Sequence, residues 1–138
     1  MNKEFIEKKL ELLDSYLSEI DPHIAADILV LVSDKDTIRI LERLFQLIVD
    51  TAIDINRSFI ESSDAVIPDT YQSTFYTMSE ISLLENDFSG SIAPSVGLRN
   101  RIVHRYDDIN MKVMVESIKK FVPLYGEYSQ IIKLKVLK

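Results

Sequence analysis

The segment Arg99-Asn100-Arg101-Ile102-Val103-His104-Arg105-Tyr106 sets three arginines, an imidazole, an amide and a phenol within eight residues of a 138-residue chain. Guanidinium groups bind phosphate and carboxylate through paired N–H donors. Imidazole is the side chain that ordinarily exchanges its proton near neutral pH. His104 is one of only two histidines, so the combination is a local feature and not a reflection of composition. A surface that gathers these groups can hold an anion and move a proton beside it.

On a helix over 92–105, Ile92, Val96, Arg99 and Val103 fall in one row, with steps of 4, 3 and 4 residues. Arg99 is thus in register with apolar neighbours, where a guanidinium needs a carboxylate, a phosphate or an opening to water. The adjacent row, Ala93, Gly97, Asn100 and His104, predicts a shallow notch with polar groups at one end and room for a ligand. A structural reading stands beside the functional one. Arg99 could pair with an acid of the long helix, Glu42 or Asp50, and His104 could simply sit at a helix end.

Other groupings carry less chemistry. Arg43, Gln46, Asp50, Asp54 and Arg57 form a polar stripe that reads as a solvated face. His23 follows Pro22 without ligand spacing, so no metal site is expected. Lys119-Lys120 and Lys133, Lys135 and Lys138 read as terminal solvation. Glycine-rich phosphate loops, Ser-His-Asp arrangements and zinc signatures are absent from the sequence.

Three glycines and four prolines leave few turn-makers, which favours long helices over many short strands. Hydrophobic residues make up 46% and charged residues 28%, an ordinary balance for one globular domain over residues 1–138. Without cysteine there is no disulfide framework or thiolate chemistry. The N-terminus is charged and periodic, unlike a signal peptide, and no apolar run approaches the roughly 20 residues of a membrane span. A soluble, cytoplasmic protein is expected. The net charge of −6 argues against a nonspecific nucleic-acid coat, although residues 99–105 make a basic patch on an acidic body.

The elements that must position the motif are helices. Ile6, Leu10, Leu13, Leu17 and Ile20 draw one stripe on a first helix, which Asp21-Pro22 should stop. Asp21 would then cap a short helix through Val32. Ser33 is the expected cap of the longest helix, to about Ser62, with Ile38, Leu41, Phe45, Ile48, Ala52, Ile55 and Phe59 as its apolar stripe. Residues 62–69 read as a loop. A helix from about Thr70 carries Tyr71, Phe75, Met78 and Ile81. Residues 86–105 hold the motif, with Pro94 either kinking the helix or starting it. Asp107-Asp108 breaks the run before a last helix from about Ile109 to Leu134, kinked at Pro123. The expected fold is an all-α, up-and-down bundle of about five helices.

Arg-Asn-x3-His-x-Tyr over residues 99–106 resembles the signature of the HEPN superfamily, and Tyr106 makes it similar to the HepT subgroup of HepT/MntA toxin–antitoxin pairs. Glu42-Arg43-Leu44-Phe45-Gln46 with Ala52-Ile53-Asp54-Ile55 resembles that family's long helix. Pro68-Asp69-Thr70-Tyr71 through Phe75 resembles its next helix start, and Tyr106-Asp107-Asp108-Ile109-Asn110 its post-motif turn, so the likeness spans roughly 36–132.

The resemblance implies a homodimeric HEPN-like bundle and a metal-independent endoribonuclease that needs no cofactor. In it, Arg99, Asn100 and His104 are the catalytic group, while Arg101 and Arg105 contact flanking phosphates of the RNA. It further implies an MNT-type nucleotidyltransferase antitoxin that neutralises the toxin by transferring AMP to Tyr106. Two other classes remain open: a non-catalytic helical module that binds a nucleotidyltransferase or nucleotides, and a dimeric bundle whose motif only pairs charges.

Overall fold

A computed structural model describes residues 2–104 and 110–137. The chain order is α1 (Lys3–Ile24), α2 (Ile28–Val32), α3 (Lys35–Glu61), α4 (Tyr71–Glu80), α5 (Asn86–Ile92), α6 (Ser95–His104) and α7 (Met111–Val136). No strand occurs among the described residues. Five of these helices have ten or more residues; α2, of 5 residues, is the short helix expected through Val32, and the expected motif-bearing stretch from residue 86 is divided into α5, of 7 residues, and α6. Among the described residues no helix is long and apolar enough to cross a membrane.

The long helix α3 is the spine. Every residue of its expected stripe, from Ile38 to Phe59, is buried. It packs against α1, α4 and α6, while α7 lies against α1 and α2. Asp34, not Ser33, caps it by accepting from the Asp36 and Thr37 backbone N–H groups. The Thr37 hydroxyl, 3.0 Å away, joins those amides in holding the Asp34 carboxyl below its usual range. α4 starts where expected, and Thr70 caps it by accepting from Ser73 N at 3.1 Å.

Pro22 behaves differently from expectation. α1 does not stop at Asp21-Pro22 but continues to Ile24, and Asp27, not Asp21, caps α2 through Leu29 N at 2.8 Å. Pro22 is exposed and lies in the last turn of α1, and its missing N–H deprives the carbonyl of Ser18, itself an exposed residue, of its helical partner. Pro123 is likewise exposed, and α7 runs through it. At Pro94 the chain does break: α5 ends at Ile92, and α6 starts afresh at Ser95. The expected Asp107-Asp108 break and the helix start at Ile109 lie outside the described residues; α7 is capped by Asn110, which accepts from Val113 N at 3.2 Å.

The centre of the bundle is aromatic and also polar. Phe75 meets Tyr125 and Tyr128 edge-on, with centroids 6.3 and 6.0 Å apart. The Tyr128 hydroxyl donates to Asn56 Oδ1 at 2.6 Å, Asn56 Nδ2 donates to Thr74 Oγ1 at 3.1 Å, and Thr74 Oγ1 donates to the Tyr71 carbonyl at 2.6 Å. This chain of bonds ties α7 to α3 to the first turn of α4. Ser95 Oγ and the Tyr125 hydroxyl, 2.6 Å apart, pin the start of α6 to α7 in the same way. No buried side-chain polar atom among the described residues lacks a partner.

Two outcomes follow from this core. Asn56→Ala removes one bond from each of the Tyr128 and Thr74 hydroxyls, which keep the Ala52 and Tyr71 carbonyls as partners, and should cost about 1–2 kcal/mol, read as a lowered urea midpoint. Burial also raises the pKa values of both core tyrosines, so the folded state keeps these protons where the unfolded chain loses them. Stability should therefore be full below pH ~10 and fall above it, by up to about 1.4 kcal/mol per pH unit for each tyrosine. Urea titrations between pH 9 and 11.5 would measure this, and Tyr125→Phe should flatten the slope.

Candidate functional site

Arg99 lies one turn into α6 and reaches across to α3. Its Nε donates to Asp50 Oδ1 at 2.7 Å, with the two side chains 14% and 33% exposed. Its Nη1 donates to Asn100 Oδ1 at 3.0 Å, and its Cζ sits 5.7 Å from the centre of the Tyr71 ring. One edge and one face of the guanidinium are thereby held, while the remaining Nη donors stay available. Of the two acids weighed from the sequence, Asp50 is the partner. Its charge is felt in the core as well, adding to the burial that raises the Tyr125 pKa against the opposing bond from Ser95.

Arg99, Asn100 and His104 line a single open cleft of about 520 Å³. Its opposite wall is the start of α4, from Asp69 to Ser73, together with Tyr76. The cation and the titratable ring thus face the same space. The expected notch of Ala93 and Gly97 is not this cleft: the Pro94 break ends the row, Ala93 is fully buried, and neither residue lines the wall. His104 is exposed at the last position of α6, and Asn100 is half-buried. Arg101 is exposed and lies outside the cleft lining. Arg105 and Tyr106 fall outside the described residues.

Sequence reasoning missed two features. Tyr71 had been placed on the apolar row of its helix, yet it is 45% exposed and supports Arg99. The polar stripe of α3 is not merely solvated, because Asp50 pairs with Arg99 and Asp54 with Lys9 Nζ at 3.0 Å. The available signal was an acid set beside the apolar positions Val49 and Ile53 of the same helix, both of which are buried. A larger concavity of about 790 Å³ at the other end of α4 contains none of the motif residues. Among the described residues no three acids or histidines converge as a metal site.

The defining pattern of one family, described as Ribonuclease HepT-like, matches residues 6–132. A tRNA nuclease HepT from Aphanizomenon flos-aquae is 33% identical over 123 residues, which cover 89% of this chain and 84% of that protein. An mRNA nuclease HepT from Shewanella oneidensis is 26% identical over 93 residues, 67% of each. The fold superposes with a TM-score of 0.86 on a tri-AMPylated S. oneidensis HEPN toxin solved in complex with an MNT antitoxin, at 21% identity over 97% of this chain and 99% of that one. The fold is that of the HEPN toxins, and the enzyme class is ribonuclease. The chain belongs to the HepT-like ribonuclease family. The match begins at residue 6, so α1 belongs to the family pattern, where the motif-based resemblance had started near 36.

The Asp50–Arg99 pair is partly buried, so cutting it leaves a charge without its partner. Asp50→Ala should lower stability by about 1–2 kcal/mol in urea unfolding, and Asp50→Asn, which retains an acceptor oxygen, by less.

Proposed function

We propose that this chain is a metal-independent endoribonuclease toxin whose homodimer cuts RNA at the Arg99–His104 cleft. The observation that carries the reading is the convergence of Arg99, Asn100 and His104 on one open, polar cleft. The names of the relatives support the class: one acts on tRNA, the other on mRNA.

The chemistry assigned to the cleft is intramolecular transfer. The ribose 2′-oxygen forms a bond to the adjacent phosphorus, and the bond to the 5′-oxygen breaks. His104 takes the 2′-OH proton or supplies one to the departing 5′-oxygen, a role suited to imidazole near neutral pH. The free Nη donors of Arg99 hold the phosphate as negative charge builds on it. Asn100 has its oxygen engaged by Arg99, which leaves its amide N–H groups for a phosphate oxygen or the imidazole. Arg101 and Arg105 serve flanking phosphates. In a homodimer the partner copy brings a second imidazole, so one could act as base and the other as acid.

Neutralisation is assigned to an MNT-type nucleotidyltransferase antitoxin, by analogy with the AMPylated toxin in the similar complex. AMP on Tyr106, two residues past His104, would add negative charge and bulk that compete for the phosphate position.

One experiment tests the reading as a whole. Purified chain should cut RNA in EDTA, and Arg99→Ala or His104→Ala should slow cutting at least about 100-fold with helicity retained. Co-expression with the nucleotidyltransferase should silence the wild type and add AMP mass at Tyr106. Cleavage that survives both alanine variants, or AMP found only on other tyrosines, would refute the corresponding part.

A further inference from the structure

We propose that Tyr71 and Tyr76 form a stacking platform for unpaired bases of the RNA strand whose phosphate lies on Arg99. The inference rests on the ribonuclease reading and adds a substrate class to it: the strand must be single-stranded where it enters the cleft.

The distribution of tyrosines points there. Of the six in the chain, Tyr125 and Tyr128 are fully buried, Tyr16 is half-buried and Tyr106 lies outside the described residues. Tyr71 and Tyr76 are the exposed ones among the described residues, at 45% and 42%. Both line the cleft that holds Arg99, Asn100 and His104. Exposed aromatic rings scattered singly need no explanation, but two collected at one cationic cleft do.

Geometry makes them suitable neighbours for a bound phosphate. The Arg99 Cζ lies 5.7 Å from the Tyr71 ring centre, so an anion on the guanidinium and a base against that tyrosine belong to adjacent parts of one nucleotide chain. Five helical residues separate the rings, a rise of about 7.5 Å along α4. Five residues also turn the helix by about 140°, so the rings offer two separate faces to the cleft, which suits two bases of one strand better than a single mononucleotide. The platform is also fixed in place. The Tyr71 carbonyl is bonded to Thr74, and Thr74 to Asn56 on α3, the helix whose Asp50 holds Arg99.

Chemistry selects RNA over a protein partner. Beside the rings the wall carries Thr70, Gln72 and Ser73, which offer donors and acceptors to base edges, and no leucine, isoleucine, valine or methionine lines the cleft to seat a partner's core residues. Tyrosine stacks on any base, because every base has a π-face. In an A-form duplex those faces are already covered, so only loops, bulges and ends can supply them.

The test uses the full chain carrying His104→Ala, so that RNA is bound and not cut. A short single-stranded RNA containing 2-aminopurine is titrated in, alongside the same sequence in a blunt duplex and free AMP. The single strand should bind with quenched fluorescence and outcompete both the duplex and AMP. Tyr71→Ala and Tyr76→Ala should each weaken binding about tenfold and relieve the quenching, while phenylalanine restores the ring and the quenching with it.

The platform is overturned if the alanine variants, with circular dichroism unchanged, bind and quench like their parent. It is equally overturned if the duplex or AMP binds as tightly with the same tyrosine dependence. It also falls if the variants keep RNA binding but change the oligomeric state by light scattering, which would make the rings a protein interface. The ribonuclease reading fails by a different sign, namely RNA affinity unmoved by Arg99→Ala together with cleavage that survives His104→Ala.

Discussion

The contact between Asp50 and Arg99 joins the spine of the bundle to the helix that bears the motif. Arginine inside an apolar register is a liability unless a carboxylate meets it, and the 2.7 Å bond from Nε meets that demand without consuming the fork. The same bond fixes where the remaining donors point. Arg99 therefore answers two requirements at once, one from the core and one from the cleft. The competing interpretations of the motif, charge pairing and anion binding, describe different edges of a single guanidinium.

Around this pair the bundle uses polar contacts where a simpler helical protein would use leucines. Tyr128, Asn56 and Thr74 lead from the middle of α7 to the carbonyl of Tyr71, and Ser95 with Tyr125 anchors the start of α6. Apolar packing alone would tolerate a small slide of α4 along α3, since one aliphatic side chain replaces another at little cost. Directional bonds do not. The two walls of the cleft are thus held in register through the interior as well as by the contact of Arg99 with Tyr71 across it.

Much of this was legible in the sequence. The stripe of α3 alternates steps of three and four so regularly that every member proved buried, and the start of α4 near Thr70 was legible too. Arg99 and His104 could be placed on one helix from spacing alone. What stayed hidden depends on partners far along the chain. Periodicity assigned Tyr71 to the apolar row because a ring counts as hydrophobic, whatever lies opposite it. Asp21-Pro22 reads as a stop, although at an exposed helix end the single bond that proline removes costs little, because the freed carbonyl can turn to water. The restart of the helix after Pro94 goes with a Ser95–Tyr125 bond made 30 residues away, which no local pattern announces.

The motif helix has little claim to its own shape. Gly97 sits in its first turns, Val96, Ile102 and Val103 are β-branched, and Asn100 favours caps and turns over helix interiors. At 10 residues it is also shorter than the roughly 12–15 that an isolated helix needs in water. A synthetic peptide of the same residues would be a disordered coil, its guanidinium and imidazole wandering apart. The motif is meaningful only as a guest of the bundle, which lends it a conformation that its own residues would not choose.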